Sequence, residues 1–382
     1  MTKLTVFVNT LPVNPRSGGM KTFLLELLLA LAEINNQKIN YCLICTPLNK
    51  GLFDFLKDKE NFNVVVVDNN NIKPVNRIFY EQFRLYKMLN KQENALLLNI
   101  CNVGIMKCKL PQVNILQVQL GIAELRKQLP SKYISISALH KIYYDLLLKP
   151  SIKQSAKTIA ICNFMLEFLQ PFKDKVEVIH EGVNLQKFSA NGAPASQSVQ
   201  PYILCVSTLF PHKNMDRLIE AFALFRKKYN LNYKLIIAGK DPDNRQLDIL
   251  RKVAKNNQVE NEVELLGWVS LDTITKLYAE ASLFVFISSM EFFGLPVLEA
   301  MAAEVPVIAA NKMSLTEIVN DAGILIDDPD NINEVSEKIK DVLTSPDLQK
   351  ELIKKGKENI KQFQWSLTAK NFERVFNEVS SA

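Results

Sequence analysis

The residues of this sequence best suited to chemistry are two glutamates, one lysine and a pair of glycines. Glu291 and Glu299 lie within residues 288–303 (SSMEFFGLPVLEAMAA), directly after the apolar run 283–287. Gly294 can adopt backbone shapes closed to other residues and Pro296 suits a first helical turn, so a helix is predicted to start at about Leu295. Glu291 then sits in the loop before the helix and Glu299 in its first turn. Acidic groups at a helix N-terminus complement the dipole in any protein. That does not account for Glu291 standing beside Phe292 and Phe293 at a strand's carboxyl end. Lys213, next to His212, follows the run 202–206 and is either a cation for an anionic ligand or a solvated loop lysine. Gly18 and Gly19 follow the run 4–8 and open a helix with the stripe Met20, Phe23, Leu24, Leu27, Leu28 and Leu31. Missing Cβ atoms let a phosphate approach the backbone and the helix dipole favours the anion, while the alternative is a tight turn with no ligand.

The elements that must position these residues alternate short Val/Ile/Leu runs with longer helical patterns, which predicts α/β architecture with mainly parallel sheets. Strands are expected at 4–8, 40–45, 63–67, 96–99, 113–118, 157–160 and 176–179, and again at 202–206, 233–238, 263–266, 283–287, 306–309 and 323–325. The uncharged segment 189–200 (SANGAPASQSVQ) has the composition of a linker. Two Rossmann-like domains, 1–188 and 201–382, are therefore expected, in line with a length of 382 residues. A terminal helix over about 365–379 carries Leu367, Ala369, Phe372, Val375 and Phe376 at helical spacing and could cross back to the first domain. Open parallel sheets gather ligands at the carboxyl ends of their strands, which places function in the loops after strands and in a cleft between the domains.

Composition narrows the classes further. With 48% apolar and 23% charged residues the chain is an ordinary globular one. No apolar run approaches the roughly 18 to 20 residues of a membrane span, no cleavable leader is apparent, and a cytoplasmic location is expected. The six cysteines are too few and too apolar in context for a disulfide framework and are expected to be reduced and buried, and Cys42 and Cys45, on opposite faces of one strand, do not suit a zinc site. The three histidines (140, 180 and 212) are scattered. Asp241 with Asp243, and Asp328 with Asp330, flank prolines in turn-like settings, so no metal site is expected. The net charge of +6 is uneven: residues 1–200 carry 24 Lys and Arg against 14 Asp and Glu, and residues 201–382 carry 22 against 26. Such a basic half suits an anionic surface or substrate, and no nucleic-acid module accompanies it. The segment 77–91 (RIFYEQFRLYKMLNK) could touch a membrane, although Ile78, Phe79, Phe83, Tyr86 and Leu89 read as a core stripe.

Taken together, Glu291, Phe293, Gly294, Leu295, Pro296 and Glu299, followed by Ala300, Met301 and Ala302, resemble the C-terminal motif of the GT-B-fold retaining glycosyltransferases of family 4. The resemblance extends to Gly18-Gly19 and to residues 178–188 (VIHEGVNLQKF), 202–214 (YILCVSTLFPHKN), 265–269 and 305–328, the last with Ser314, Glu317 and Asp321-Ala322-Gly323. It implies a nucleotide diphosphate sugar donor held mainly by the second domain, with no cofactor and no metal. Glu299 would accept bonds from the ribose, and Glu291 would face the donor sugar. Backbone N–H groups of Phe293, Gly294 and Leu295 would hold sugar hydroxyls or the diphosphate. Lys213 would neutralise the leaving diphosphate, Gly19 would reach it from the first domain, and the backbone at Trp268 and Val269 would meet the base. Three positions depart from the pattern. Phe292 replaces a glycine, Ser207-Thr208 replaces Gly-Arg and leaves Lys213 as the main cation, and Gln119 stands where a histidine is common on the acceptor side. An acceptor glycan, lipid carrier or small molecule is implied, with peripheral contact to an anionic membrane and no nucleic acid. A nucleotide-sugar epimerase and a non-catalytic partner of the same fold are the rival readings.

Overall fold

The computed structural model describes residues 3–15, 18–68, 74–117, 122–129, 138–188, 200–242 and 244–381. Gln119, Asp243 and residues 189–199 of the expected linker lie outside them. The chain divides into one unit of Met1–Gly182 with Trp365–Ala382 and a second of Val183–Gln364. The expected boundary at 188 thus stands six residues beyond the observed division, and the terminal helix Trp365–Ser381 belongs to the first unit.

In the first unit seven parallel strands run in the order β3-β2-β1-β4-β5-β6-β7, with β1 Leu4–Asn9, β2 Ile39–Cys45, β3 Phe62–Val66, β4 Ala95–Asn99, β5 Gln112–Leu116, β6 Lys157–Ala160 and β7 Val176–Val178. In the second, six parallel strands run β10-β9-β8-β11-β12-β13, with β8 Tyr202–Val206, β9 Lys234–Ala238, β10 Val263–Gly267, β11 Leu283–Phe286, β12 Val307–Ala310 and β13 Ile324–Ile326. Each expected strand corresponds to one of these: inner strands covered on both faces leave unbroken Val/Ile/Leu runs in sequence, and the edge strand β3 shows the same run with Val64, Val65 and Val66 exposed. Strand order reverses direction between β1 and β4 and between β8 and β11, and at such switch points the connecting loops diverge and open a crevice.

Helix Gly19–Ile34 buries Phe23, Leu24, Leu27, Leu28 and Leu31. Against it lies Trp365–Ser381, whose Trp365 and Phe372 rings meet Phe23 edge-on at 5.6 and 6.4 Å. Glu373 of that helix is buried and accepts from the Tyr41 hydroxyl at 3.1 Å, whereas Leu367, read as part of the apolar stripe, is exposed. A second stripe also differs from expectation. Residues 74–89 form helix Pro74–Tyr80, a π turn Glu81–Leu85 and helix Tyr86–Leu89, and they bury Glu81, Gln82, Leu85 and Leu89 while Phe79 and Phe83 face solvent. The reason is a polar interior: the Asn9 amide donates to Glu81 at 3.0 Å, and Gln82 donates to the Gly104 carbonyl at 2.9 Å.

Candidate functional site

The loops after β8 and β11 face each other across the switch point of the second sheet, since these strands are neighbours with Leu283 opposite Ile203. The first loop ends in a single 3-10 turn, Pro211–Lys213, and Asn214 takes a left-handed backbone with φ of 54° before helix Met215–Tyr229. Asparagine tolerates that shape better than most residues. Its amide then reaches over to the second loop, donating to the Ile287 carbonyl at 2.9 Å and Ser289 Oγ at 2.6 Å. The His212 carbonyl accepts from the Ser289 N–H at 2.9 Å and from Ser288 Oγ at 3.3 Å. These bonds fix one loop against the other, and the result is that Lys213 Nζ lies 2.5 Å from Glu291 Oε2. Only 11% of the lysine side chain and 16% of the glutamate side chain is exposed, so their attraction is poorly screened. The ammonium also sits 5.3 Å from the centre of the Phe286 ring. His212 beside it is pushed down to about 4 by burial and by the Lys213 charge, and it is neutral at pH 7.

Glu291 is held at its own backbone as well. Its Oε1 accepts from the Phe292 N–H at 3.1 Å, and Ser314 Oγ donates to the carbonyls of Glu291 and Phe293 at 2.9 and 3.1 Å. Gly294 has φ of +113°, a conformation that calls for glycine, and a Cβ there would press within 2.9 Å of the tip of the Leu315 side chain. Phe293 is buried and meets Phe363 edge-on, leaving Phe292 and Leu295 half-buried. Gly239, after β9, is equally constrained: a Cβ there would come within 1.6 Å of the Ser207 carbonyl oxygen. Trp268, after β10, is 74% exposed, and Val269 is half-buried.

Glu299 lies deeper than the sequence suggests. Helix Leu295–Ala302 starts where expected, but Glu299 is then its fifth residue and opens the second turn rather than lying in the first. The hydroxyl of Tyr278, a buried residue of helix Leu271–Glu280, lies 2.9 Å from Glu299 Oε2 and 3.2 Å from the Pro296 carbonyl. Burial pushes the Glu299 carboxyl up to about 7, while the Tyr278 bond and the charge of Lys187 hold it back. Tyr278 and Asn214 were not singled out from the sequence. A tyrosine in an amphipathic helix and an asparagine at a helix start carry no signal of the distant groups they bond.

In the first unit, Gly18 and Gly19 are exposed at the start of helix Gly19–Ile34, and a Cβ at either would meet nothing within 4 Å. Local packing therefore does not demand glycine there. Asp241 accepts from the Leu247 N–H at 2.9 Å and Asp328 from the Asp330 N–H at 3.1 Å, both turn and cap contacts. Among the described residues no group of three or more His, Cys, Asp or Glu is placed to hold a metal ion, and all six cysteines are free thiols.

Two parallel sheets, each with its own switch point, define a two-domain Rossmann-like α/β protein. Residues 190–359 match the glycosyl transferases group 1 family. A stretch of 166 residues is 35% identical to the O-antigen chain mannosyltransferase B of Escherichia coli, spanning 44% of this chain and 43% of that relative's length. The O-antigen chain mannosyltransferase RfbU of Salmonella typhimurium is 23% identical over 90% of this chain and 92% of its own. Among solved structures, Anabaena HepE in complex with UDP and glucose superposes with a TM-score of 0.73 at 16% identity, covering 98% of this chain and 99% of that one. The chain shares the two-domain GT-B fold of these solved structures, and its match to the group 1 glycosyl transferases lies within the second unit.

Proposed function

We propose that the protein transfers a hexose from a nucleoside diphosphate sugar to an acceptor hydroxyl, with retention of anomeric configuration and without a metal ion. The observation that carries this reading is the Lys213–Glu291 pair, fixed at the switch point of the second sheet with little exposure of either charge. In the reaction the bond from the anomeric carbon to the diphosphate oxygen breaks, the acceptor oxygen bonds that carbon, and the acceptor's proton leaves on the diphosphate. Negative charge grows on the leaving oxygens, and Lys213, a preorganised cation, stabilises it there. Glu291 orients the ammonium and faces the sugar, and the N–H groups of Phe293, Gly294 and Leu295 supply donors. Glu299 takes the ribose hydroxyls, Ser207 and the backbone at Trp268 and Val269 border the nucleotide, and Gly18 and Gly19 leave room for the diphosphate. Gln119 serves the acceptor side. Mannose is the favoured sugar because two relatives bear that activity in their names, and a guanine or uracil nucleotide is the favoured carrier because a GDP-mannose-dependent mannosyltransferase and the UDP-bound HepE are among the similar proteins. The acceptor is a glycan or lipid carrier at an anionic membrane surface, supported by the charge of the first unit: 25 Lys and Arg against 16 Asp and Glu, where the second has 21 against 24. No helix among the described residues is long and apolar enough to cross a membrane, so the contact is peripheral. A thermal-shift panel of nucleotide sugars tests the reading, since a ligand at 100 times its dissociation constant adds about 2.7 kcal/mol. A donor that raises the midpoint and releases nucleotide with acceptor supports it, whereas indifference to every nucleotide and nucleotide sugar overturns it.

A further inference from the structure

We propose that the first unit docks on an anionic bilayer through one built face, the outer side of residues 74–89 together with helix Ala138–Gln154. Both segments bury apolar side chains and yet present a second stripe of large apolar side chains to solvent. Residues 74–89 turn Glu81 and Gln82 inward with Leu85 and Leu89, and turn Val75, Phe79 and Phe83 outward, the two phenylalanine rings stacked 4.8 Å apart. Helix Ala138–Gln154 buries Tyr144, Leu148, Ser151 and Ile152 and turns Leu139, Ile142 and Leu146 outward. The six outward side chains range from 47% exposed at Leu139 to 66% at Leu146. Scattered apolar residues on a surface need no explanation, but two adjacent stripes of large ones do.

The stripes are adjacent because of the topology. The crossovers β3 to β4 and β5 to β6 advance in the same direction along the sheet, so with right-handed connections both segments cover one sheet face. They meet at Tyr143, whose hydroxyl faces Gln82 and the Arg77–Glu81 pair. The rim is basic: Arg84, Lys87, Lys107, Lys141 and Lys153 are exposed, and Lys107 Nζ lies 5.7 Å from the centre of the Phe83 ring. The acidic groups of these segments are already engaged, Glu81 with Asn9 and Arg77, and Asp145 with Arg126.

Charge selects the occupant. Aromatic and aliphatic side chains can enter the boundary of headgroups and acyl chains while the long lysine stems carry their ammonium groups to lipid phosphates. A second copy seated on the same face would set Lys87, Lys107 and Lys141 against their own symmetry mates. The docking face deepens the proposed function by giving the membrane-borne acceptor an approach, and vesicle binding tests it separately from transfer.

Purified full-length chain is sedimented with vesicles of phosphatidylcholine alone or with about 30% phosphatidylglycerol. Binding is expected to the anionic vesicles only, with release at about 0.5 M salt. The triple variant Phe79→Ser, Phe83→Ser, Leu146→Ser should weaken partitioning at least about tenfold, and so should Lys87→Glu, Lys107→Glu, Lys141→Glu, because each basic residue near the surface is worth about a fivefold factor. Thermal midpoint and donor-sugar hydrolysis in bulk water should stay at the wild-type level in both. Wild-type chain that ignores anionic vesicles, a triple variant that binds like wild type, or a solution dimer dissolved by both variants would overturn the assignment. Vesicle binding with no turnover of any donor sugar would support the face and count against the transfer reading.

Discussion

Replacing Glu299 by glutamine separates what this carboxyl costs the fold from what it does for a ligand. Burial displaces its pKa from 4.5 up to about 7, so the folded chain keeps the proton to higher pH than the unfolded chain does. Below about 4.5 both states are protonated and the group is neutral to stability. Between about 4.5 and about 7 the unfolded chain releases the proton while the fold retains it, so stability declines as pH rises, and above about 7 the full loss is in place. A displacement of this size corresponds to at most about 3 kcal/mol, and partial exposure of the side chain reduces that to about 1 to 2 kcal/mol. Glutamine keeps the shape, offers Tyr278 a carbonyl acceptor, and carries no charge. Glu299→Gln should therefore melt about 2 to 8 °C above wild type at pH 8, for a unit of this size, with a smaller gain at pH 5. Calorimetric titration with nucleotide should show the opposite sign, a loss of about 1.5 to 3 kcal/mol, as for a hydrogen bond to a charged group. A variant no more stable than wild type at pH 8 would refute the burial argument, and unchanged nucleotide affinity in a folded variant would remove the ribose role.

Lys213→Ala should lower turnover at least about 100-fold by removing the cation at the leaving group, and should destabilise by about 1 to 3 kcal/mol because Glu291 is left half-buried without its partner. The double variant Lys213→Ala, Glu291→Gln should regain most of that stability in urea melts but none of the turnover. Tyr278→Phe removes the bond that holds the Glu299 pKa down, so the pH midpoint for nucleotide binding should move upward, measurable by titration calorimetry across pH 5 to about 9. Gly239→Ala should lose more than about 3 kcal/mol in thermal melts, since its Cβ would overlap the Ser207 backbone and no side-chain movement can relieve that.

How much of this was legible in sequence depends on the range of the interaction. Every strand showed itself, because the inner strands, buried on both faces, are written locally in Val/Ile/Leu runs, and even the edge strand β3, with Val64, Val65 and Val66 exposed, keeps such a run. The start of helix Leu295–Ala302 was equally local, set by Gly294 and Pro296. The stripe at 77–91 was misread because periodicity identifies faces without saying which one meets the sheet. There the inward face carries Arg77, Glu81 and Gln82: Glu81 accepts from Asn9 and faces Arg77, and Gln82 donates to the Gly104 carbonyl of another element. The same limit hid Tyr278: it is the one buried residue of an amphipathic helix, and its bond to Glu299 depends on how two helices pack.

The meeting of Lys213 and Glu291, 78 positions apart, follows from strand order more than from either loop. In a parallel sheet every carboxyl end lies on one edge, so the loops after β8, β9, β10 and β11 bring Ser207, Lys213, Gly239, Trp268 and Glu291 to that edge. Between β8 and β11 the connections depart in opposite directions, which leaves the two loops without a crossing chain between them. Closing that gap by side chains alone would leave two charges on mobile loops. Asn214 and the His212 carbonyl instead tie the loops by backbone and amide bonds, and the ion pair forms between groups already held in place. Electrostatic stabilisation of a leaving diphosphate needs its cation fixed before charge develops, because reorganisation at the moment of reaction would consume the advantage. On the proposed function, the loop-to-loop bonds of Asn214, rather than the ion pair alone, are therefore what suits this edge of the sheet to transfer chemistry.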